Sequence, residues 1–126
     1  MYKAAAPVFE QAPAKLGDDS AKLKMRRVTT HQAGMSSGMS GDIAKAGAIF
    51  EAASAKDPVY PMYYYNLACA DAAEKNFASA RVHLQQAFAR KANMISGENM
   101  PDPTKDDAFI PYRNDKEFWA LVQELH

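Results

Sequence analysis

The apolar positions of this chain fall into short stripes with helical spacing. Within residues 61–90, PMYYYNLACADAAEKNFASARVHLQQAFAR, Tyr64, Leu67 and Ala68 stand at i, i+3 and i+4, on one face of a helix. Ala80, Leu84 and Ala87 repeat that logic on a second helix. Small residues let two helices approach closely and large ones fill the space between them, so the stretch predicts a helical hairpin. Upstream, Asp18, Asp19 and Ser20 suit a helix start, with acids at the positive end of the dipole. A helix is predicted from there to about residue 40. Its stripe is Ala21, Met25, Val28, Gln32, Met35 and Met39, spaced 4-3-4-3-4, with Lys22, Lys24, Arg26 and Arg27 on the opposite flank. Asp42 is placed to cap the next helix, which Asp57 and Pro58 stop after Lys56. Pro61 suits the first turn of the helix that follows.

The pattern repeats at a fixed interval. Ala46, Phe50 and Ala53 precede Ala80, Leu84 and Ala87 by 34 residues each (80−46, 84−50, 87−53). Gly41, Asp42 and Ile43 stand in the same register against Lys75, Asn76 and Phe77, and Gly34 against Ala68. A period of 34 residues carried by these positions resembles the tetratricopeptide repeat. Tyr64, Leu67, Ala68, Ala80, Leu84 and Ala87 match that family's pattern in the second unit, and Gly34, Ala46, Phe50, Ala53 and Pro58 match it in the first. Three departures stand out. Asp71 occupies a position where the family has an aromatic, Thr30 and Ala33 replace the large residues of the first helix, and Ala92 stands where the second unit would end in proline. The alternative is an alanine-rich antiparallel helix pair of another kind.

Beyond the second unit, Gly97, Pro101 and Pro103 interrupt regular structure, so residues 93–107 read as a loop. Its acids, Glu98, Asp102, Asp106 and Asp107, do not have the spacing of an EF-hand and are expected in solvent. Asn114 followed by Glu117 resembles a capping box. Phe118, Leu121, Val122 and Leu125 then line one face of a last helix, with Phe109 and Ile110 as an anchoring turn. This ending is similar to a tail found at the close of bacterial tetratricopeptide arrays, through Asn66-Leu67-Ala68-Cys69-Ala70 and Phe109, Tyr112, Arg113, Asp115 and Phe118; Lys116 replaces a proline common there. The resemblance implies a cap over the apolar face of the last repeat.

The expected fold is therefore all-α: two tetratricopeptide-like antiparallel helix pairs of an α-α superhelix, an N-terminal extension and a C-terminal capping helix. Residues 1–17 form an arm, broken by Pro7 and Pro13, and residues 18–126 one domain. Within it, the first repeat covers about 27–60, the second about 61–92, an acidic loop 93–107 and the cap 108–126.

Composition narrows the function classes. Fifteen basic and fifteen acidic residues balance, which argues against nucleic acid, whose binding needs a clustered positive surface. The single Cys69 excludes a disulfide within the chain. No apolar run reaches membrane-spanning length. Residues 1–16 lack the apolar core of a secretory signal, so the cytoplasm is favoured, with an exported origin open if a leader was removed. Gly34, Gly38 and Gly41 are not followed by the Lys-Ser/Thr of a phosphate loop.

No catalytic set is visible. His31, His83 and His126 are widely spaced and have no ligand spacing with Cys69, and there is no nucleophile elbow and no Ser-x-x-Lys. The chain is expected to be no enzyme and to need no cofactor and no metal. The resemblance instead implies a concave groove lined by the first helix of each repeat: Val28, His31, Gln32 and Met35 in the first unit, Met62, Tyr65, Asn66 and Cys69 in the second, with Met39 extending it. Asn66 matches an asparagine that holds a partner backbone in chaperone-binding members. The cations of their carboxylate clamp are missing. The expected function is capture of a protein or peptide partner on an apolar, Met-rich surface. The alternative is a structural role, as a homo-oligomerisation domain or the end-cap domain of a larger protein, with the groove filled by the arm (Val8, Phe9, Leu16) or by a second copy in a homodimer.

Overall fold

The computed structural model describes residues 16–125. The expected N-terminal arm, with Val8 and Phe9, lies outside the described residues apart from its last two positions. Among the described residues all regular structure is helical: α1 (Leu16–Met39), α2 (Ile43–Lys56), α3 (Pro61–Ala73), α4 (Phe77–Ala89) and α5 (Lys116–Glu124), with 3-10 turns at Lys91–Asn93 and Asp107–Tyr112. α1 packs on α2, α2 on α3 and α3 on α4. The first helix begins at Leu16, two residues before the acids expected to open it.

The two hairpin turns are the same structure 34 residues apart. Gly41 and Lys75 (75−41) both take the left-handed conformation, at φ 92° and 61°. The Asp42 N–H donates to the Ser37 carbonyl at 2.9 Å, and the Asn76 N–H to Asp71 at 2.8 Å. The Gly41 N–H reaches Gly38 and the Lys75 N–H reaches Ala72, both at 3.0 Å. These paired bonds close a helix through a left-handed residue and satisfy its last carbonyls. The next residue then caps the following helix: the Asp42 carboxylate accepts from the Lys45 N–H, and the Asn76 amide oxygen from the Ser79 N–H. Gly41 adopts this conformation without strain, whereas Lys75 does so at a cost of about 1 kcal/mol.

α3 is the centre of the molecule. Of its residues only Cys69, Asp71 and Ala73 are not buried. A helix apolar on every side belongs in a core, and this one is enclosed on three sides. Tyr63 faces Phe50 of α2, with ring centroids 6.5 Å apart. Ala80, Leu84 and Ala87 of α4 are fully buried in the same cluster.

The third side is closed by residues 93–125. Phe109 meets Tyr65 edge-on at 6.0 Å and stacks on Phe118 at 5.9 Å. Tyr112 packs on Phe77 and donates its hydroxyl proton to the Ala72 carbonyl at 3.2 Å. Phe118 and Leu121 are fully buried, Val122 and Leu125 nearly so, as the stripe of the last helix predicted. Truncating a ring such as that of Phe118 would cost about 3–5 kcal/mol. Two expectations change. Asp115, not Asn114, caps α5, accepting from the Glu117 N–H at 2.9 Å. And two of the loop acids turn inward instead of facing solvent: Glu98 accepts from the Tyr60 hydroxyl and Asp106 from that of Tyr65. Buried tyrosine hydroxyls need acceptors, and these carboxylates supply them.

Candidate functional site

The residues expected to line one groove divide into two groups. In α1, Met25, Val28, Met35 and Met39 are 51, 38, 42 and 84 % exposed. Ala21 and Gln32, on the same stripe, are exposed as well. The face of α1 that meets the body is the other one. Gly34 lies on the Phe50 ring, Gly38 lies near the Ala46 methyl, and Arg27 reaches Asp57. The missing side chains of Gly34 and Gly38 permit close packing at these positions. The outward stripe keeps its apolar side chains in water.

In α3 the corresponding positions are closed. Met62 and Tyr65 are buried, and Asn66 is only 6 % exposed. Residues 93–112 occupy the space in which a partner would have met Tyr65, because its hydroxyl and ring are claimed by Asp106 and Phe109. Cys69, half-buried one turn beyond Tyr65, has its thiol pushed well above its ordinary range, first by burial and then by the Asp106 and Asp71 carboxylates. A protonated, shielded thiol is a poor nucleophile and a poor metal ligand. The open part of the expected groove is thus Val28, Gln32, Met35 and Met39; Met62, Tyr65 and Asn66 are core.

His31 and Asn66 join the two halves. Asn66 Nδ2 lies 2.8 Å from His31 Nδ1. An amide nitrogen only donates, so Nδ1 accepts, and the imidazole is neutral with its proton on Nε2. Burial lowers the His31 pKa in the same direction, opposed weakly by the Glu98 carboxylate. Asn66 therefore directs one of its two amide N–H groups into the chain from a buried position.

Two features with chemical potential do not assemble a reaction centre. His83 Nδ1 pairs with Asp71, and Ser79 Oγ lies 3.5 Å from that same nitrogen. A hydrolytic relay needs the serine on one imidazole nitrogen and the carboxylate on the other. The pair instead fills the position where a hairpin aromatic was expected, linking α3 to α4 through the contact of the ring nitrogen with the carboxylate. An apolar cleft of about 230 Å³ lies between Phe88, Met100, Pro103, Val122 and Leu125, smaller than most small-molecule sites. Among the described residues no group of three His, Cys, Asp or Glu side chains could hold a metal ion. No helix among them is long and apolar enough to cross a membrane.

The residues that sequence reasoning missed are those that fasten the loop: Glu98, Asp106, Arg90 and Asn93. Arg90 donates to the Pro58 carbonyl at 2.7 Å and lies over the Tyr64 ring; Asn93 donates to the Val59 carbonyl at 2.9 Å. The available signal was the run of tyrosines at 60 and 63–65, whose hydroxyls had to find partners somewhere in the chain. No family model, no curated protein and no solved structure matches the chain.

Proposed function

We propose that the chain is a non-catalytic protein-interaction module of tetratricopeptide-like design, two helix pairs with a C-terminal cap, whose binding face is the outward stripe of α1. One observation carries this reading: a helix of 24 residues holds four large apolar side chains in water along one line while its other face is docked. Monomeric surfaces seldom keep such a line uncovered. Methionine suits a partner surface because its unbranched chain adapts to the shape it meets. The repeated hairpin turn, identical in hydrogen bonding at the 34-residue offset, supports the repeat assignment.

A second reading has its own support. The α3 half of the groove is filled by residues 93–112, which favours a structural, end-capping role in which that half recruits nothing. The two readings are compatible if recruitment is confined to α1.

The test is a photo-crosslinking amino acid placed at Met35, and separately at Arg81 on α4 as a control, in the cells that make the protein. Specific adducts at Met35 and none at Arg81 are expected. Absence of adducts at Met35 in a folded protein would leave the capping role alone.

A further inference from the structure

The outward stripe of α1 has a stricter order than a general sticky face. Its spacing of 4-3-4-3-4 is that of the two seam positions of a heptad repeat. Met25, Gln32 and Met39 take one seam position, and Ala21, Val28 and Met35 the other. A globular helix facing its own core shows a wider stripe, whereas a seam of two positions in seven marks contact with one other helix. All six residues are exposed, so the seam faces away from the body of the molecule.

We infer that this seam is occupied by the same helix of a second copy, in antiparallel register about a two-fold axis at the level of Thr30. The inference rests on the interaction reading above and names its partner. Two observations select the second copy and the direction.

The first is charge. In a parallel pair, Lys24 would lie beside the second copy's Lys22, with both basic halves side by side. Like charges across a helix pair repel and set its orientation. Turned antiparallel, residue n faces residue 60−n: Lys24 comes opposite Ser36 and Lys22 opposite Gly38. The half from Val28 to Met39 carries no formally charged side chain. It is therefore the neutral surface that the basic half of the other copy requires.

The second is size. The antiparallel register pairs Ala21 with the second copy's Met39, Met25 with its Met35, and Val28 with its Gln32. The smallest seam residue receives the most exposed of the seam's large apolar side chains, Met39 at 84 %. Alternating small and large residues across a seam is what close packing of helices demands. The contact is isologous and closes on itself, so it forms a dimer and no filament.

The test uses the full chain with Cys69→Ala, carrying either Ala21→Cys or Met39→Cys, both at exposed positions. Light scattering over a dilution series is expected to give about twice the 13.9 kDa chain mass at the concentrated end. On oxidation, the mixture of the two variants is expected to form the mixed disulfide. Met39→Cys alone is expected to form none, because its two sulfurs would sit about 27 Å apart along the axis. Met35→Glu is expected to give the monomer mass with its helical circular dichroism intact, and Met35→Leu to keep the dimer. A monomer at every concentration overturns the inference. So does a dimer in which Met39→Cys links to itself, or in which the mixed disulfide does not form. Crosslinking at Met35 separates this failure from failure of the interaction reading. Adducts to a different protein on a monomeric chain sink only the second copy, whereas no adducts on a monomer sink both.

Discussion

Gly34 lies so close to the Phe50 ring that a single added carbon has no room. A Cβ built on Gly34 would collide with three atoms of the ring, Cζ among them. This contact fixes how near α1 comes to α2. The equivalent residues one repeat later are Ala68 and Leu84, both fully buried. One carbon more on the small side there accompanies a smaller side chain on the other. Gly34→Ala is expected to destabilise the chain by about 1–3 kcal/mol, against a gain in helix propensity of about 1 kcal/mol that an open site would have shown. Adding Phe50→Leu, which reproduces the second hairpin, is expected to recover part of the loss despite its own cost. Urea midpoints of the single and double variants check this; a stabilised Gly34→Ala would mean that the ring does not set the helix spacing.

Arg27 and Asp57 tie α1 to the end of α2. Their bonds are 2.7 Å and 3.0 Å, a two-point fork between largely buried groups. The Arg27 guanidinium also lies 4.7 Å from the Tyr60 ring centroid, and the Asp57 carboxylate holds its pKa above the ordinary value. Removing one partner leaves a charge without its match. Asp57→Asn is expected to cost about 2 kcal/mol, and a double-mutant cycle with Arg27→Met to give a coupling of about 1 kcal/mol or more. Coupling near zero would assign the loss to the backbone turn at Pro58.

His31 makes the stability of the α1 contact depend on pH. Its pKa is lowered from 6.5 in the folded chain, mainly by burial. The unfolded chain then binds a proton that the folded one refuses. The contribution is complete above the unfolded value of 6.5 and is lost as pH falls through the lower folded value. Urea midpoints measured between pH 7.5 and pH 5 are expected to fall, and His31→Gln, which keeps an acceptor for Asn66, to flatten that part of the slope. An unchanged slope in His31→Gln would put the acid sensitivity elsewhere.

The loop over α3 is fastened by tyrosine hydroxyls, and its opening has a built-in reporter. Lys105 is exposed one residue before Asp106, which accepts from Tyr65 at 2.8 Å. Tyr65→Phe deletes that bond, worth about 1 kcal/mol, and is expected to speed tryptic cleavage after Lys105 by about fivefold. Tyr64→Phe, whose hydroxyl donates to the Pro58 carbonyl instead, is expected to leave that rate unchanged. Equal acceleration by both would indicate general loosening.

Helix identity and hairpin turns were legible because they depend on local chemistry. Asp42 caps where the sequence placed it, Asn76 does the same in the register it shares with Asp42, and Pro61 opens α3 at its first turn. The stripe of α5 was legible too, since one apolar face needs only one neighbour. The docking of α1 was legible only in part. Its stripe reads as the groove side and stays exposed, but that Gly34 would meet Phe50 and Gly38 meet Ala46 depends on close approach, which hydrophobicity does not report. The fate of Tyr65 and Asn66 was equally hidden. The tetratricopeptide resemblance puts both on the groove side of α3 but says nothing of the later loop that fills it.

The enclosure of α3 also bears on how the molecule comes apart. Arrays of helix pairs are commonly modular, each pair melting with some independence because it touches only its neighbours. Here α2, α4 and the turn at Asp107–Tyr112 all rest on α3, and α5 is held to that turn by Phe118 on Phe109. No hairpin can leave without baring α3. Loss of either end should therefore propagate through the whole, and the chain should melt in one cooperative transition, followed identically by tyrosine absorbance and helical signal.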